Sequence, residues 1–235
     1  SLSGCTRGNP DTLWQIVHQR CVPDQEQHGS PGPCVSVDLS AGEAHGSAVL
    51  KDRNGPYQYL LIPTARITGM ESALPYNDDA ANYFAAAWAA RHDVEHVLGH
   101  PLPREALSLA INSRYARSQN QLHIHIDCLK PDVRETLHAQ LPGIGDDWAP
   151  LAVPIAGHRF NVRRIHDADL AHTNPFRLLP DDARESESER ARHTLILAGA
   201  HFADGDDGFV LLDGHATLWP FDLGHGEDLQ DHACR

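Results

Sequence analysis

Basic charge is scarce in this chain: 19 Lys and Arg stand against 32 Asp and Glu, a formal net charge of −13. That balance argues against a sequence-independent DNA or RNA binder, which draws most of its affinity from Lys and Arg that displace counterions. No run of about 18 apolar residues occurs, so nothing in these 235 residues spans a bilayer as a helix. The five cysteines (Cys5, Cys21, Cys34, Cys128 and Cys234) contain no Cys-x-x-Cys pair and match no zinc spacing. Internal repeats and low-complexity linkers are lacking too. What is present is 41% apolar residues, enough for one large domain or two small ones, and a chain of this length buries about 70% of its unfolded surface without a metal or disulfide staple.

Cys21 and Cys34 bracket the Pro/Gly/Gln-rich stretch Val22 to Pro33, which reads as a disulfide-closed surface loop. An exported context would also pair Cys128 with Cys234 and leave Cys5 for lipid, whereas a cytosolic one would leave five free thiols. Ser1-Leu2-Ser3-Gly4-Cys5 resembles the cleavage box of bacterial lipoproteins, in which the Cys is lipidated. A tag scar or a chance cysteine reads the same way.

Helical spacing over residues 11 to 21, after a cap at Asp11, predicts a helix ended by the Pro/Gly stretch. Val35 to Leu39, Ser47 to Leu50 and Tyr57 to Ile62 read as strands, the last two joined by an Asn54-Gly55 hairpin turn. The spacing predicts one long helix over Asn77 to Leu98, closed by Gly99 and Pro101. Leu107 to Asn112 is extended, the polar loop Ser113 to Gln119 follows, and Gln121 to Leu129 is a strand before a helix from Pro131 to about Gln140. His158 to Ile165, His193 to Ala198 and Phe209 to Leu212 read as strands, and Asp181 to Arg192 as a charged, solvated helix or loop. Hairpins around one long helix imply an α+β fold with an antiparallel sheet. The chain reads as a single catalytic domain, with a core over about 34–140 and a C-terminal α+β extension over about 141–235.

Gln121 to Asp127 alternates strictly, so His123, His125 and Asp127 share one strand face while Leu122, Ile124, Ile126 and Cys128 share the other. The apolar face seals a core. Two imidazoles and a carboxylate in a row serve metal binding or attack by an oriented His; a coincidence of the surface is the third reading.

The surroundings of this row resemble the histidine-triad superfamily of nucleotide hydrolases and transferases. In that pattern a Gln precedes the first His by four and an Asn precedes the central His by thirteen; here Gln119 and Asn112 stand at those places. Tyr59-Leu60-Leu61-Ile62-Pro63 is similar to the strand and Pro that lead toward the superfamily's long helix. Asp127 stands in place of the third His, and Arg66 where many members carry an upstream His. With Lys51 to Pro56, Ile111 to Arg114, Lys130 to Arg134 and the tail Asp228 to Cys234, these departures resemble the bacterial CDP-diacylglycerol pyrophosphatase family from about Leu13 to Cys234. The resemblance implies hydrolysis of CDP-diacylglycerol to CMP and phosphatidate, at a bacterial inner membrane, by an anchored protein facing the periplasm.

By that resemblance His125 is the nucleophile on the phosphorus attached to cytidine, forming a CMP-histidine intermediate that water opens. His123 donates to phosphate oxygens or orients His125, Asn112 bonds the phosphate or the second ring nitrogen, and Gln119 holds the bridging oxygen. Asp127 fixes a tautomer or orients water. Arg66, Arg114 and Arg117 supply positive potential for the diphosphate. No metal or other cofactor is required by these residues. A nucleotidyl transferase or a hydrolase of another nucleoside diphosphate conjugate would share the motif, and a His-rich periplasmic metal-binding lipoprotein would account for the 17 His. Oligomeric state is not legible.

Overall fold

A computed structural model describes residues 8–235; Cys5 and its box lie outside the described residues. Twelve strands occur among them: β1 Ser36–Asp38, β2 Ser47–Lys51, β3 Tyr59–Pro63, β4 Leu107–Ile111, β5 Ile124–Leu129, β6 Ala149–Pro150, β7 Phe160–Ile165, β8 His193–His201, β9 Asp207–His215, β10 Thr217–Leu218, β11 Phe221–Asp222 and β12 Gln230–Asp231. Ten of them form one antiparallel sheet in the order β1-β2-β3-β5-β4-β8-β9-β7-β6, with β12 added to β5; β10 and β11 make a separate ribbon. Strands from both sides of residue 140 interleave, since β4 pairs β8 from Ser108↔Ala198 to Ile111↔Leu195. The α+β fold with a large antiparallel sheet agrees with the sequence pattern.

The α-helices among the described residues are α1 Thr12–Ile16, which continues through a π turn at Val17–Cys21 into α2 Val22–His28, then α3 Tyr83–Ala89, α4 Arg91–Leu98, α5 Pro131–Gln140 and two single turns, α6 Asp181–Arg184 and α7 Glu187–Arg190. Two expectations are corrected. The first helix runs past residue 21 to His28, where Gly29 closes it at φ 63°; the widened π turn accommodates Pro23, which has no N–H to give. The long Asn77–Leu98 helix is two shorter ones. Asn82 sets the start of α3 by accepting from the Ala85 N–H at 3.1 Å, while its amide donates to the Leu170 and Thr173 carbonyls at 2.8 and 2.9 Å. The break follows at Ala90, where Arg91 donates back to the Trp88 carbonyl at 2.7 Å.

The β2–β3 hairpin is present, but residues 52–58 form a wider loop than an Asn-Gly turn. Gly55 adopts φ +66° against His232, where a Cβ would lie 2.5 Å from the histidine's own.

One sheet face carries the main core. Leu61, Leu109, Ile124, Ile126, Leu197 and Phe209 meet Phe84, Ala87, Trp88 and Val94 of α3 and α4. The opposite face bears two separate apolar blocks. Val17, Cys21 and Val22 cover Ala48, Leu50, Leu60 and Ile62; Val133 and Leu137 of α5 cover Leu129, Ala198 and Val210. His123, His125 and Asp127 lie on this second face, between the two blocks.

Both expected disulfides are formed: Cys21–Cys34, 13 residues apart, and Cys128–Cys234, 106 residues apart. Loop-closure entropy scales with that separation, giving roughly 3 kcal/mol for the short loop and roughly 5 for the long one. In non-reducing denaturant titrations, Cys234→Ser should therefore lose more unfolding free energy than Cys34→Ser. Equal losses would mean that both bonds act through local native contacts.

Candidate active site

Register places the row. Leu60 and Ala110 flank His125 on β3 and β4, and Ser108 lies opposite Asp127. The small Ala110 leaves space above the sheet, and the C-terminal chain uses it: a Cβ on Gly226 would meet Thr194 Cγ2, Ile196 Cγ1 and Ala110 Cβ at 3.2–3.4 Å. The Gly224 carbonyl accepts from the Ser113 N–H at 3.1 Å and from the Thr194 hydroxyl. Asn112 then fixes the next turn, its Oδ1 accepting from Gly226 N–H at 2.7 Å and its Nδ2 donating to Glu227 Oε2 at 2.7 Å. Further on, Gln230 donates to the His125 carbonyl at 3.2 Å and to Ser108 Oγ at 3.1 Å.

Glu227 is thereby delivered to His125. Its Oε1 lies 3.2 Å from His125 Nδ1, and Asp52 Oδ2 approaches the same nitrogen to 4.0 Å. Neither ring nitrogen of His125 makes an aligned hydrogen bond, although the side chain is buried. Buried polar atoms left without partners are uncommon and concentrate where chemistry occurs. Burial, with neighbouring His123 and His232, holds the His125 pKa well below the ordinary imidazole value. The Glu227 and Asp52 carboxylates act in the opposite sense, but the buried ring is neutral at pH 7, with a lone pair available. Two carboxylates beside Nδ1 favour the proton there and leave the lone pair on Nε2.

His123 packs its ring against His125 at 4.8 Å and 70°, and its Nδ1–H donates to the Gln121 carbonyl at 2.7 Å. Burial lowers its pKa as well, so the ring is neutral and its Nε2 is an acceptor. Donation to a phosphate from Nε2 requires that the ring take up a proton.

The other expected site residues are placed differently. Asn112 lines the cleft but bonds neither ring nitrogen, because both ends of its amide are engaged by Gly226 and Glu227. Gln119 accepts from the Leu13 N–H at 3.0 Å and donates to the Asn9 carbonyl at 3.0 Å, so it pins the start of α1 across the cleft. Asp127 turns away from both rings, accepting from His232 Nδ1 at 2.6 Å and from its neighbour Cys128 N–H at 2.8 Å. It therefore fixes the tautomer of His232, not that of His125. Asp127, Cys128 and Cys234 bring potential metal-ligand atoms within 4.8 Å, but both sulfurs are spent in the disulfide.

The three arginines all have carboxylate partners. Arg66 pairs with Asp11 at 2.5 Å, Arg114 with Glu187 at 3.1 Å, and Arg117 makes a buried fork on Glu71 at 2.5 Å to each oxygen. Burial opposes the Glu71 charge, but the guanidinium outweighs it and keeps the carboxyl below its ordinary pKa.

The open space beside His123 and His125 is a cleft of about 570 Å³. One wall is apolar, from Leu13, Ile16, Pro33, Leu50 and Leu60; the other is polar, with Lys51, Arg53, Arg117 and His225. Lys51, Asp52, Arg53 and Glu227 were not anticipated from sequence. Lys51 ends β2 and Asp52 and Arg53 open the 52–58 loop, a region that reads as a hairpin turn, and Glu227 belongs to a C-terminal segment that carries no spacing signal.

This chain is similar to pyrophosphatases: a family model described as CDP-diacylglycerol pyrophosphatase matches residues 8–235. A CDP-diacylglycerol pyrophosphatase from Yersinia pestis is 42% identical over 227 residues, covering 97% of this chain and 85% of that protein. The chain belongs to the CDP-diacylglycerol pyrophosphatase family.

Burial pushes the Asp127 carboxyl up to about 6, with His232 and the Cys128 N–H opposing the shift. Because this value lies above the unfolded 3.8, the native state binds the extra proton: that contribution is complete below 3.8 and is lost as pH rises through about 6. Its size is on the order of 3 kcal/mol. The unfolding free energy of wild type minus that of Asp127→Asn should fall across this window. A difference that stays level would show that Asp127 does not titrate there.

Proposed function

We propose that this chain hydrolyses CDP-diacylglycerol to CMP and phosphatidate, with His125 as the nucleophile. Family membership supports the reaction. The observation that carries the assignment of the nucleophile is the buried, neutral His125 ring, whose Nε2 has no hydrogen-bond partner at the edge of the cleft. The same arrangement supports a chemical kinship with the histidine-triad enzymes.

In the proposed first step, His125 Nε2 forms a bond to the phosphorus bearing cytidine. The bond from that phosphorus to the bridging oxygen breaks, and phosphatidate leaves as an anion. The imidazole retains its Nδ1 proton and so acquires positive charge, which Glu227 at 3.2 Å and Asp52 at 4.0 Å stabilise. In the second step water bonds to the same phosphorus, the N–P bond breaks, and the ring returns to neutral with its lone pair on Nε2. The water proton passes to a carboxylate or to solvent. Splitting one difficult displacement into two is the advantage of a covalent nucleophile. Asn112 positions Glu227, and Gln119 positions the apolar wall. Lys51 and Arg53, on the cleft wall, serve the diphosphate in place of the three arginines expected from sequence.

The two disulfides support work in an oxidising compartment such as the periplasm. No helix among the described residues is long and apolar enough to cross a membrane. An anchor at the inner membrane, through Cys5 or otherwise, belongs to this proposal.

His125→Ala should retain the fold and lose turnover by orders of magnitude, whereas Glu227→Gln and His123→Ala should each lose about 10² to 10³ in rate. Acid-quenched and base-quenched wild-type reactions with cytidine-labelled substrate should yield an acid-labile, base-stable CMP adduct on His125. Near-normal activity of His125→Ala, or label on His123, would refute the mechanism. CMP transfer to added alcohols in preference to water would make the protein a transferase.

A further inference from the structure

The β10–β11 ribbon pairs Thr217↔Asp222 and Leu218↔Phe221 around Trp219 and Pro220. Its side chains point out of the molecule: Leu218 is 88% exposed, Trp219 93% and Phe221 72%. Three large apolar side chains among four consecutive residues form a contiguous exposed patch, the kind that marks an interaction site. A ribbon with two residues per strand has little stability of its own, yet its base is held firmly. His158 bridges Asp222 at 2.7 Å through Nδ1 and Asp228 at 2.9 Å through Nε2. Burial works against charge on that ring, but the two carboxylates together raise its pKa above the ordinary value.

The ribbon is continuous with the cleft. Directly after it, the Leu223 carbonyl accepts from the Ser113 hydroxyl, and His225 and Glu227 line the cleft. Ser113 opens the loop that carries Tyr115, 54% exposed, and then the cleft residues Ala116 and Arg117. The patch is a narrow projection. It offers far less than the roughly 800 Å² per partner of a stable protein interface. A fluid interface accepts such a wedge without shape complementarity, and Trp and Phe are suited to the boundary between headgroups and acyl chains.

We propose that the Thr217–Asp222 ribbon inserts into the surface of a lipid bilayer and seats the cleft beside membrane-borne substrate. This rests on the proposed activity toward a lipid-linked nucleotide. With a net charge of −13, attachment comes from apolar insertion and not from attraction to anionic lipid.

The test uses the 235-residue chain, zwitterionic phosphatidylcholine vesicles with brominated acyl chains, and the triple variant Leu218→Ser/Trp219→Ser/Phe221→Ser. Wild type should co-sediment with the vesicles in low and high salt. Tryptophan quenching by the brominated lipid should be largely lost in Trp219→Phe, and the triple variant should bind at least about tenfold more weakly. Its kcat/KM on CDP-diacylglycerol in vesicles should fall by about tenfold, with kcat/KM on a short-chain, water-soluble CDP-diacylglycerol unchanged; the latter also reports that the fold is intact. Wild type that neither sediments nor quenches overturns the proposal, as does equal loss on both substrates or a wild-type dimer that the triple variant abolishes. Vesicle binding without hydrolysis of either substrate would instead sink the proposed activity and leave the ribbon's role standing. Hydrolysis of the soluble substrate without vesicle binding would do the reverse.

Discussion

Strand β5 is hydrogen-bonded to β4 along one edge and to β3 and then β12 along the other, so its register is fixed from both sides. A slip of one residue would turn His123, His125 and Asp127 into the apolar core beneath α3 and α4 and bring Ile124 and Ile126 into the cleft. The rest of the site depends on this. The Gln230 bond to the His125 carbonyl, the Cys128–Cys234 disulfide and the position of Glu227 all require β5 to present one face to the core and the other to the C-terminal chain.

That face is also where the sheet is covered least evenly. The π turn and α2 seal Ala48 to Ile62, and α5 seals the region around Ala198. Between them the covering layer is the turn that contains Gly226, thin enough for His125 to stay buried while remaining at the edge of a cleft. Burial keeps the imidazole neutral, and in the proposed mechanism the adjacent carboxylates become an advantage when positive charge develops on the ring. An unbound site with two carboxylates and net charge −13 is a poor host for a diphosphate at long range. In the proposed reaction it is the local cations on the cleft wall, Lys51 and Arg53, that outweigh that field at short range.

The β5 row, the β2–β3 hairpin and the disulfide from Cys21 to Cys34 were legible because each follows from local periodicity or a local loop. The same local reasoning predicted one helix over Asn77 to Leu98; it missed the hydrogen bonds from Asn82 to Leu170 and Thr173, which come from 88 and 91 residues away. The family resemblance offered Asn112 and Gln119 as site residues but not their partners. Asn112 meets Glu227 across 115 residues and Gln119 meets Leu13 across 106, and no spacing rule encodes such contacts. Arginines were expected at the diphosphate because of their charge, but charge alone does not say whether a carboxylate already occupies the fork. Arg117, bound on both arms by Glu71, shows the difference.

The two walls of the cleft differ in a way that matches a substrate with two unlike ends. Leu13, Ile16, Leu50 and Leu60 belong to the block beneath α1 and its π turn, so the apolar wall is an outward continuation of a core cluster. The polar wall comes from Lys51 at the end of β2, from the loops 52–58 and 113–119 and from His225; within the first loop Asp52 accepts from the Asn54 N–H at 3.0 Å, and Glu71 grips Arg117 of the second. A lipid-linked nucleotide in the proposed reaction can place its glycerol and acyl portion toward the first wall and its charged portion toward the second. The scissile anhydride then falls at the boundary, and His125, flanked by Leu60 of the apolar block and Glu227 of the C-terminal turn, is the side chain that stands on that boundary.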